Sequence, residues 1–268
     1  MRIYFGGTFD PVHNGHLQLA QDLAELFHQD KVYLMPCYQA VHKKGVSASA
    51  DQRLAMLKLA IKDYPKLCID AREVLSASPS YTFNSLTAIR EEMPDEPIAF
   101  VIGTDSLITF PSWYRCEQLA SLTNLIVVER PECSFDVGLN DNVGLKDNVG
   151  LKDNLGFKDR VGLKDSDSND SDLNCRGINS DQILSASRSA KTKAREYIDK
   201  VLDLGFKEIN KPELLEINQS GALISLKLSL LAISSTEIRA LVRENKPVNH
   251  LVSDAVAAYI KECKLYQN

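Results

Sequence analysis

Short apolar runs alternate with helical spacing along most of the chain, and the first such unit lies at residues 3–36. Residues 3–5 are apolar and predict a buried strand, which Gly6 and Gly7 are expected to end. A helix is predicted to begin near Asn14, with apolar positions at helical spacing: Leu17, Leu19, Ala20, Leu23, Ala24 and Phe27. Residues 31–36 predict a second strand. A strand, helix and strand of this length predict a parallel pair joined by a right-handed crossover.

The same alternation continues beyond this first unit. Further strands are predicted at 67–69, 97–103, 124–131 and 222–228, and further helices at 49–64, 83–93, 185–204 and 251–265, with one more directly after Ser235. The run 97–103 is apolar throughout, which predicts a central strand. Asp51, Ser80 or Thr82, and Ser234 or Ser235 are the predicted helix caps. The pattern predicts an α/β fold, a Rossmann-like doubly wound parallel sheet with a small helical C-terminal part, in a single domain over residues 1–268.

One segment breaks the pattern. From residue 137 a six-residue unit repeats as VGLNDN, VGLKDN, VGLKDN, LGFKDR and VGLKD, and a Ser/Asp/Asn tract follows at 166–174. A hexapeptide β-helix is one interpretation, but these units would make fewer than two of its coils. The favoured interpretation is a low-complexity, solvated insertion over residues 131–190, because its composition offers too little apolar surface for a packed core.

Charge and cysteine content narrow the class of protein. The net charge is −5, and residues 131–190 hold 11 acidic and 7 basic residues of the total. The remaining body is almost neutral, which argues against a nucleic-acid binder. The cysteines are widely spaced and predict reduced thiols without a zinc site: Cys37, Cys68, Cys116, Cys133, Cys175 and Cys263. No signal peptide or membrane span is expected, so we expect a cytoplasmic protein.

The turn between the first strand and helix carries the strongest candidate chemistry. A strand, a glycine turn and a helix N-terminus together form a ready phosphate site, because the amides are free and the helix end is partly positive. His13 and His16 lie three positions apart at this helix start, so both imidazoles face one side. Either histidine alone would more often be a structural residue. Their pairing here predicts a functional phosphate site.

Other candidates have two interpretations each from the residues alone. Asp105 follows the central strand and could bind a ribose or cap a helix. The heptad 233–239, ISSTEIR, could be a second anion site or an ordinary capping box with a surface arginine. Trp113, the only tryptophan, could be core or a ligand platform. The basic loop with His42, Lys43 and Lys44 is favoured as a solvated surface.

Three segments together resemble a known family. Gly6-Gly7-Thr8-Phe9-Asp10-Pro11 with His13 and His16 matches the nucleotidylyltransferase signature GGTFDPxHxGH. The segment 102–114 matches IGxDSLxTFPxWY, and 233–239 matches ISSTxIR. The chain is therefore similar to the bacterial nicotinate mononucleotide adenylyltransferases over roughly 2–130 and 220–265. The family's Pro-Pro-His-Lys/Arg segment is Ala40-Val41-His42-Lys43 here, without the two prolines.

The resemblance implies roles for named residues. It implies catalytic roles at the α-phosphate and the leaving pyrophosphate for His13, His16 and Arg239. It implies ATP contacts for Gly6, Gly7, Thr8, Phe9, Gly103, Asp105, Ile233, Ser234, Ser235 and Thr236. It implies contacts with the acceptor mononucleotide for His42, Lys43, Thr82, Trp113 and Tyr114.

The implied reaction joins ATP to nicotinate mononucleotide, giving nicotinate adenine dinucleotide and pyrophosphate. Magnesium would be carried on the ATP oxygens, and no residue is assigned as a metal ligand. Nicotinamide mononucleotide and phosphopantetheine are alternative acceptors, and the pair Trp113-Tyr114 favours a pyridine ring. A nucleotide-binding sensor without turnover is the alternative from another class; it expects a damaged histidine pair or heptad, and both are intact.

Overall fold

A seven-stranded, entirely parallel sheet forms the centre of the computed structural model, which describes residues 1–39, 47–129 and 195–267. The strands are β1 (Arg2–Gly7), β2 (Val32–Pro36), β3 (Leu67–Ile69), β4 (Ile98–Gly103), β5 (Asn124–Glu129), β6 (Lys207–Glu208) and β7 (Ala222–Lys227). Their order across the sheet is β3-β2-β1-β4-β5-β7-β6, and every neighbouring pair is parallel.

Helices lie between these strands and after the last of them. They are α1 (Asn14–Leu26), α2 (Ala50–Ala60), α3 (Arg72–Ser76), α4 (Thr82–Glu92), α5 (Thr104–Thr109), α6 (residues 195–202), α7 (Leu214–Ile217), α8 (Ser235–Arg243) and α9 (Asp254–Glu262). Two short 3₁₀ turns, Phe110–Ser112 and Cys116–Ser121, lie between α5 and β5. Within the described part of the chain, no helix is long and apolar enough to cross a membrane.

The strand order places the pair β1 and β4 in the middle of the sheet. From β1 the chain moves outward to β2 and β3, whereas from β4 it moves to β5 and the opposite edge. This is the point where the winding reverses, and in doubly wound sheets ligands bind beyond the carboxyl ends of the strands there. The predicted Rossmann-like architecture is confirmed, and β4 is the buried central strand that its apolar run predicts.

Side chains alternate between two hydrophobic clusters, one on each face of the sheet. In β1, Ile3 and Phe5 belong to the first cluster and Tyr4 to the second. The first cluster also contains buried residues of α1, α2, α8 and α9, and the second contains those of α4 and α6. Helices therefore cover both faces, which explains why the parallel strands are apolar on both sides.

The structure corrects the prediction that Gly6 and Gly7 end the first strand. β1 continues through both, pairing Gly6 with Met35 and Gly7 with Pro36. A Cβ on Gly6 would lie 2.6 Å from Cζ of the Phe100 ring, so the glycine is needed for a close approach within the sheet.

The helix caps also differ from the sequence prediction. Ser49, not Asp51, caps α2, and its Oγ accepts a hydrogen bond from the Gln52 N–H at 3.2 Å. Neither Ser80 nor Thr82 is the N-cap of α4; that position is Tyr81, whose side chain makes no capping bond. Of the two predicted candidates for the cap of α8, Ser234 is the N-cap.

Some short elements are not predicted by the sequence pattern. They are α3, α5, β6 and α7, none longer than six residues. The predicted helix 185–204 is described only over 195–202, and the predicted repeat insertion at 131–190 lies outside the described residues.

Candidate active site

The signature turn, defined here as residues 8–13, follows β1 at the carboxyl edge of the sheet. Phe9 adopts a left-handed backbone conformation (φ 51°), and its buried ring meets Phe5 edge-on at 5.7 Å between centroids. The Asp10–Pro11 peptide is cis. A Cβ on Gly7 would lie 2.9 Å from Cζ of Phe9, so the glycine lets this ring fold back over the strand end. The turn delivers His13 directly to the start of α1.

The two predicted histidines are brought together at that helix start. Their rings stack with centroids 3.6 Å apart and planes 22° apart. The His13 N–H donates to Nδ1 of His16 at 3.3 Å. Since that nitrogen accepts, the neutral His16 ring carries its proton on Nε2 and can donate there. The Phe9 ring lies edge-on at 5.0 Å and packs the His16 ring in place.

The start of α8 packs against the same turn and carries the second predicted anion segment. The Ser235 hydroxyl donates to the Pro11 carbonyl at 3.0 Å. Nη1 of Arg239 donates to the Asp10 carbonyl at 2.7 Å, and Nη2 donates to Oγ1 of Thr236 at 3.2 Å. Ile233 is partly buried against the first cluster just before the helix. The heptad and the histidine pair are thus joined through the main chain of the signature turn.

Asp10 has a structural role that its motif position did not reveal. Its side chain is only 4% exposed and accepts from the Ser47 and Ala48 N–H groups at 2.8 and 3.1 Å. The Tyr266 hydroxyl donates to the same carboxylate at 2.8 Å, and Arg239 lies 3.9 Å away. Burial and this carboxylate together raise the pKa of Tyr266 far above its usual value, so the hydroxyl keeps its proton and always donates.

Arg53 donates to the main chain of the signature turn and is not predicted as a site residue by the sequence. Its side chain is 1% exposed, and its donors reach the carbonyls of Thr8 at 2.7 Å, Tyr38 at 2.8 Å and Ala48 at 3.3 Å. Burying an arginine is costly unless its donors are satisfied, and here three main-chain carbonyls satisfy it. The available signal was a charged residue on the otherwise apolar face of α2 that also contains Leu54, Met56 and Leu57.

Gly103 and Asp105 lie at the carboxyl end of β4, next to β1. Gly103 precedes α5, and Asp105 is exposed in the first turn of that helix. Between them, the buried Thr104 hydroxyl donates to the Val128 carbonyl of β5 at 3.4 Å. The predicted pair therefore lies at the edge where the histidine turn also lies, at the reversal of the sheet winding.

Aromatic side chains form a second part of the site. Trp113 packs on Phe110 at 5.1 Å and edge-on against Phe100 at 6.5 Å, and its Nε1–H donates to Oγ1 of Thr109 at 3.3 Å. It is partly buried, so it joins the core while keeping some surface.

Tyr114 differs from its neighbour because it is 45% exposed. Its ring contacts Tyr81 at 4.9 Å and Phe83 at 6.0 Å, the residues on either side of Thr82. The Arg115 guanidinium lies 5.3 Å from the Tyr114 ring. Tyr114 therefore contacts the residues on both sides of Thr82, at the start of α4.

Two predicted contacts, His42 and Lys43, lie outside the described residues. The described chain on either side of them ends at Gln39 and resumes at Ser47. Among the described residues, no group of three or more His, Cys, Asp or Glu side chains could hold a metal ion.

Known protein families and individual proteins resemble this chain. The cytidylyltransferase-like family matches residues 4–241. A "Probable nicotinate-nucleotide adenylyltransferase" from Salmonella arizonae is 46% identical over 132 residues, covering 49% of this chain and 62% of the relative. One of the same name from Legionella pneumophila (strain Corby) is 44% identical over 128 residues, covering 48% and 61%. The chain spans about three-fifths of the length of the curated relatives it matches.

Solved structures resemble the fold as a whole. "Plasmodium falciparum nicotinic acid mononucleotide adenylyltransferase complexed with NaAD" aligns with a TM-score of 0.60 at 16% identity, covering 99% of this chain and 96% of that one. The same enzyme complexed with APC aligns with a TM-score of 0.58 at 15% identity. At such identity the likeness concerns the fold, and it supports the doubly wound sheet described above.

Proposed function

The chain belongs to the cytidylyltransferase-like family, and from that premise we propose that it transfers the adenylyl group of ATP to nicotinate mononucleotide, releasing pyrophosphate. The acceptor assignment is supported by relatives over 40% identical that carry the nicotinate-nucleotide adenylyltransferase name. The observation that carries the proposal is the meeting of two phosphate-binding elements at one turn. The stacked histidine pair lies at the start of α1. Arg239 donates at 2.7 Å to the carbonyl of Asp10, which precedes His13 by three residues.

The protein forms no covalent bond to the substrates in this reaction. An oxygen of the acceptor 5′-phosphate attacks the α-phosphorus of ATP, a new P–O bond forms, and the bond to the bridging oxygen breaks. That oxygen leaves on pyrophosphate with the electron pair. The attacking phosphate is already ionised at neutral pH, so no general base is needed. The protein must align two repelling anions and stabilise the charge that develops.

The described side chains suit that task. Nε2 of His16 supplies a hydrogen-bond donor for the α-phosphate, and the stacked His13 ring holds His16 in place. Arg239 binds the leaving pyrophosphate, because a planar guanidinium can form two parallel bonds with phosphate oxygens. Only two of its donors bond within the described protein, to Asp10 and Thr236, which leaves the others for the ligand.

The other sequence-predicted residues complete the proposed site. The turn residues Gly6, Gly7, Thr8 and Phe9, with Ser234, Ser235 and Thr236, surround the triphosphate, and Asp105 binds the ribose of ATP. For the acceptor, Trp113 and Tyr114 flank the pyridine ring, Thr82 lies near its carboxylate, and His42 and Lys43 contact its phosphate. Magnesium bound to ATP supplies neutralisation of phosphate charge.

A pyrophosphate-release assay tests the proposal. ATP is offered with nicotinate mononucleotide, nicotinamide mononucleotide or phosphopantetheine in turn. We expect rapid release with the acid mononucleotide and a kcat/KM lower by orders of magnitude with the amide, since a site built for one hydrogen-bonding pattern rejects another. Comparable values for acid and amide would contradict acid specificity, and release with phosphopantetheine alone would contradict the acceptor class.

A matched pair of arginine variants tests the active-site assignment. Arg239 and Arg243 lie four positions apart on α8, and Arg243 is exposed. Arg239→Ala should lower kcat by about 10²-fold or more, the usual scale for one lost transition-state donor. Arg243→Ala should retain wild-type kcat. Equal kcat values for the two variants would show that Arg239 takes no part in the reaction.

A further inference from the structure

The Asp10 carboxylate joins three segments that are far apart in sequence. It accepts from Ser47 and Ala48 before α2, and from the Tyr266 hydroxyl after α9. Asp10 is part of the signature turn and is 4% exposed. Removing one donor from a buried charged group costs more than removing one at the surface, because no bulk water replaces it. Each of these bonds therefore contributes strongly to the placement of Asp10.

Tyr266 is held firmly where it makes this contact. Its side chain is buried at 8% exposure, and its backbone lies in the left-handed region with φ 64°. It packs in the first hydrophobic cluster, which also contains residues of α1 and α9. The hydroxyl remains a donor because burial and the Asp10 carboxylate raise its pKa far above its usual value. The phenol is thus a rigid donor fixed by the core.

Asp10 in turn positions Arg239. Nη1 of the arginine donates to the main-chain carbonyl of Asp10 at 2.7 Å and lies 3.9 Å from its carboxylate. The arginine side chain is 21% exposed, so it is partly shielded from water. A shift of Asp10 would move the acceptor that fixes Nη1. The guanidinium would then meet pyrophosphate oxygens at an altered distance.

We propose that Tyr266 is a positioning residue for the phosphate site: its hydroxyl fixes Asp10, and Asp10 fixes Arg239 for the β- and γ-phosphates of ATP. This proposal rests on the proposed function of the site. It assigns a role in ATP alignment to a residue that no signature motif includes. The link runs through two hydrogen bonds of 2.8 and 2.7 Å.

Tyr266→Phe tests the link by removing one oxygen and little volume. We expect the KM for ATP to rise about tenfold and kcat to fall by a similar factor, within the range expected when a positioning contact is lost. The KM for nicotinate mononucleotide should stay at the wild-type value. A purely structural role would lower the active fraction and hence kcat, while leaving both KM values unchanged. That result would overturn the proposal.

Tyr64→Phe provides the matched control. Tyr64 follows α2, is partly buried against the same cluster, and loses the same oxygen. It should keep the wild-type KM for ATP. An equal rise in both variants would show a general packing effect and overturn the positioning role.

A double variant, Tyr266→Phe combined with Arg239→Ala, tests whether Tyr266 acts through Arg239. If Tyr266 acts through Arg239, Tyr266→Phe should have almost no further effect on the KM for ATP in an Arg239→Ala protein. A full tenfold effect there would show that Tyr266 acts elsewhere. Should Tyr266→Phe not fold, Asp10→Asn replaces it, because its NH₂ group cannot accept the bonds that the carboxylate oxygens accept. An unchanged KM for ATP in folded Asp10→Asn would overturn the proposal.

Equilibrium binding of ATP, measured by calorimetry without acceptor, separates this proposal from the proposed function. If wild-type protein binds ATP but transfers nothing, the function fails while the positioning role is still tested by the Kd. If wild-type protein transfers adenylyl groups and Tyr266→Phe binds ATP equally well, the positioning role fails alone.

Discussion

Gly6→Ala is the perturbation whose consequence the structure specifies most directly. A Cβ at this position would lie 2.6 Å from Cζ and 3.1 Å from Cε2 of the Phe100 ring. Carbon atoms prefer a separation of about 3.5–4.0 Å, so the ring must move by about 1 Å. Phe100 is 4% exposed and belongs to the central strand, which leaves it no solvent to move into.

The expected loss of folding stability follows from this geometry. Overpacking a buried core typically destabilises by about 1–3 kcal/mol. For a domain of this size, each kcal/mol lowers the melting temperature by about 2–4 °C, so Gly6→Ala should melt about 2–12 °C below wild type. Trp113 packs edge-on against Phe100, with ring centroids 6.5 Å apart. Since it is the only tryptophan, its fluorescence should shift in the folded variant.

Thermal unfolding followed by circular dichroism and by tryptophan fluorescence measures both effects. Phe100→Leu removes the ring atoms that clash and serves as the rescuing partner. The double variant should melt close to Phe100→Leu alone, since the two sites are in contact and their effects should not add. If Gly6→Ala melts at the wild-type temperature, the close approach to Phe100 is not the reason for this glycine. The same conclusion holds if Gly6→Ala lowers the melting temperature as much in the Phe100→Leu protein as in the wild type.

Three further predictions concern chemistry, the insertion and pH. His16→Ala should lower kcat by about 10²–10³ with little change in KM, measured by pyrophosphate release; retained kcat with a raised KM for ATP would make His16 a binding residue only. Replacing residues 137–182 together with Asp136 by a short Gly/Ser linker between Phe135 and Ile183 should change stability by about 1 kcal/mol or less and keep kcat/KM; a folded but inactive product would contradict this. Burial raises the pKa of the Glu73 carboxyl above its usual 4.5, so the folded state binds its proton more tightly than the unfolded state. The free energy of unfolding should therefore fall as pH rises through and above 4.5, and Glu73→Gln should remove that slope in denaturant titrations; an unchanged slope would assign it to other groups.

Local sequence signals predict those features of the fold and of the candidate site that are local in structure. His13 and His16 are three positions apart on one helix, so their spacing alone brings their rings together. The N-cap at Ser234 follows from the same kind of short-range rule. The apolar run 97–103 likewise predicted a central strand correctly, because only a strand covered on both faces can be apolar throughout.

Contacts between distant segments could not be read in this way. Arg53 bonds to Thr8 across 45 positions and Arg239 bonds to Asp10 across 229, and no periodicity records either pairing. The sequence pattern predicts a turn at Gly6, because glycine usually marks one. Its actual reason is a ring from β4, which is visible only once the strands are placed side by side.

The Tyr266–Asp10 hydrogen bond has a consequence for the order of events during synthesis. Its two residues are 256 positions apart. Because chains grow at about 5–20 residues per second, Tyr266 is synthesised about 13–50 s after Asp10. For most of that interval Arg239 is also missing, because it follows Asp10 by 229 positions. On the proposed function, we therefore expect ribosome-bound chains that stop before α8 to form no adenylyl product, because they lack Arg239.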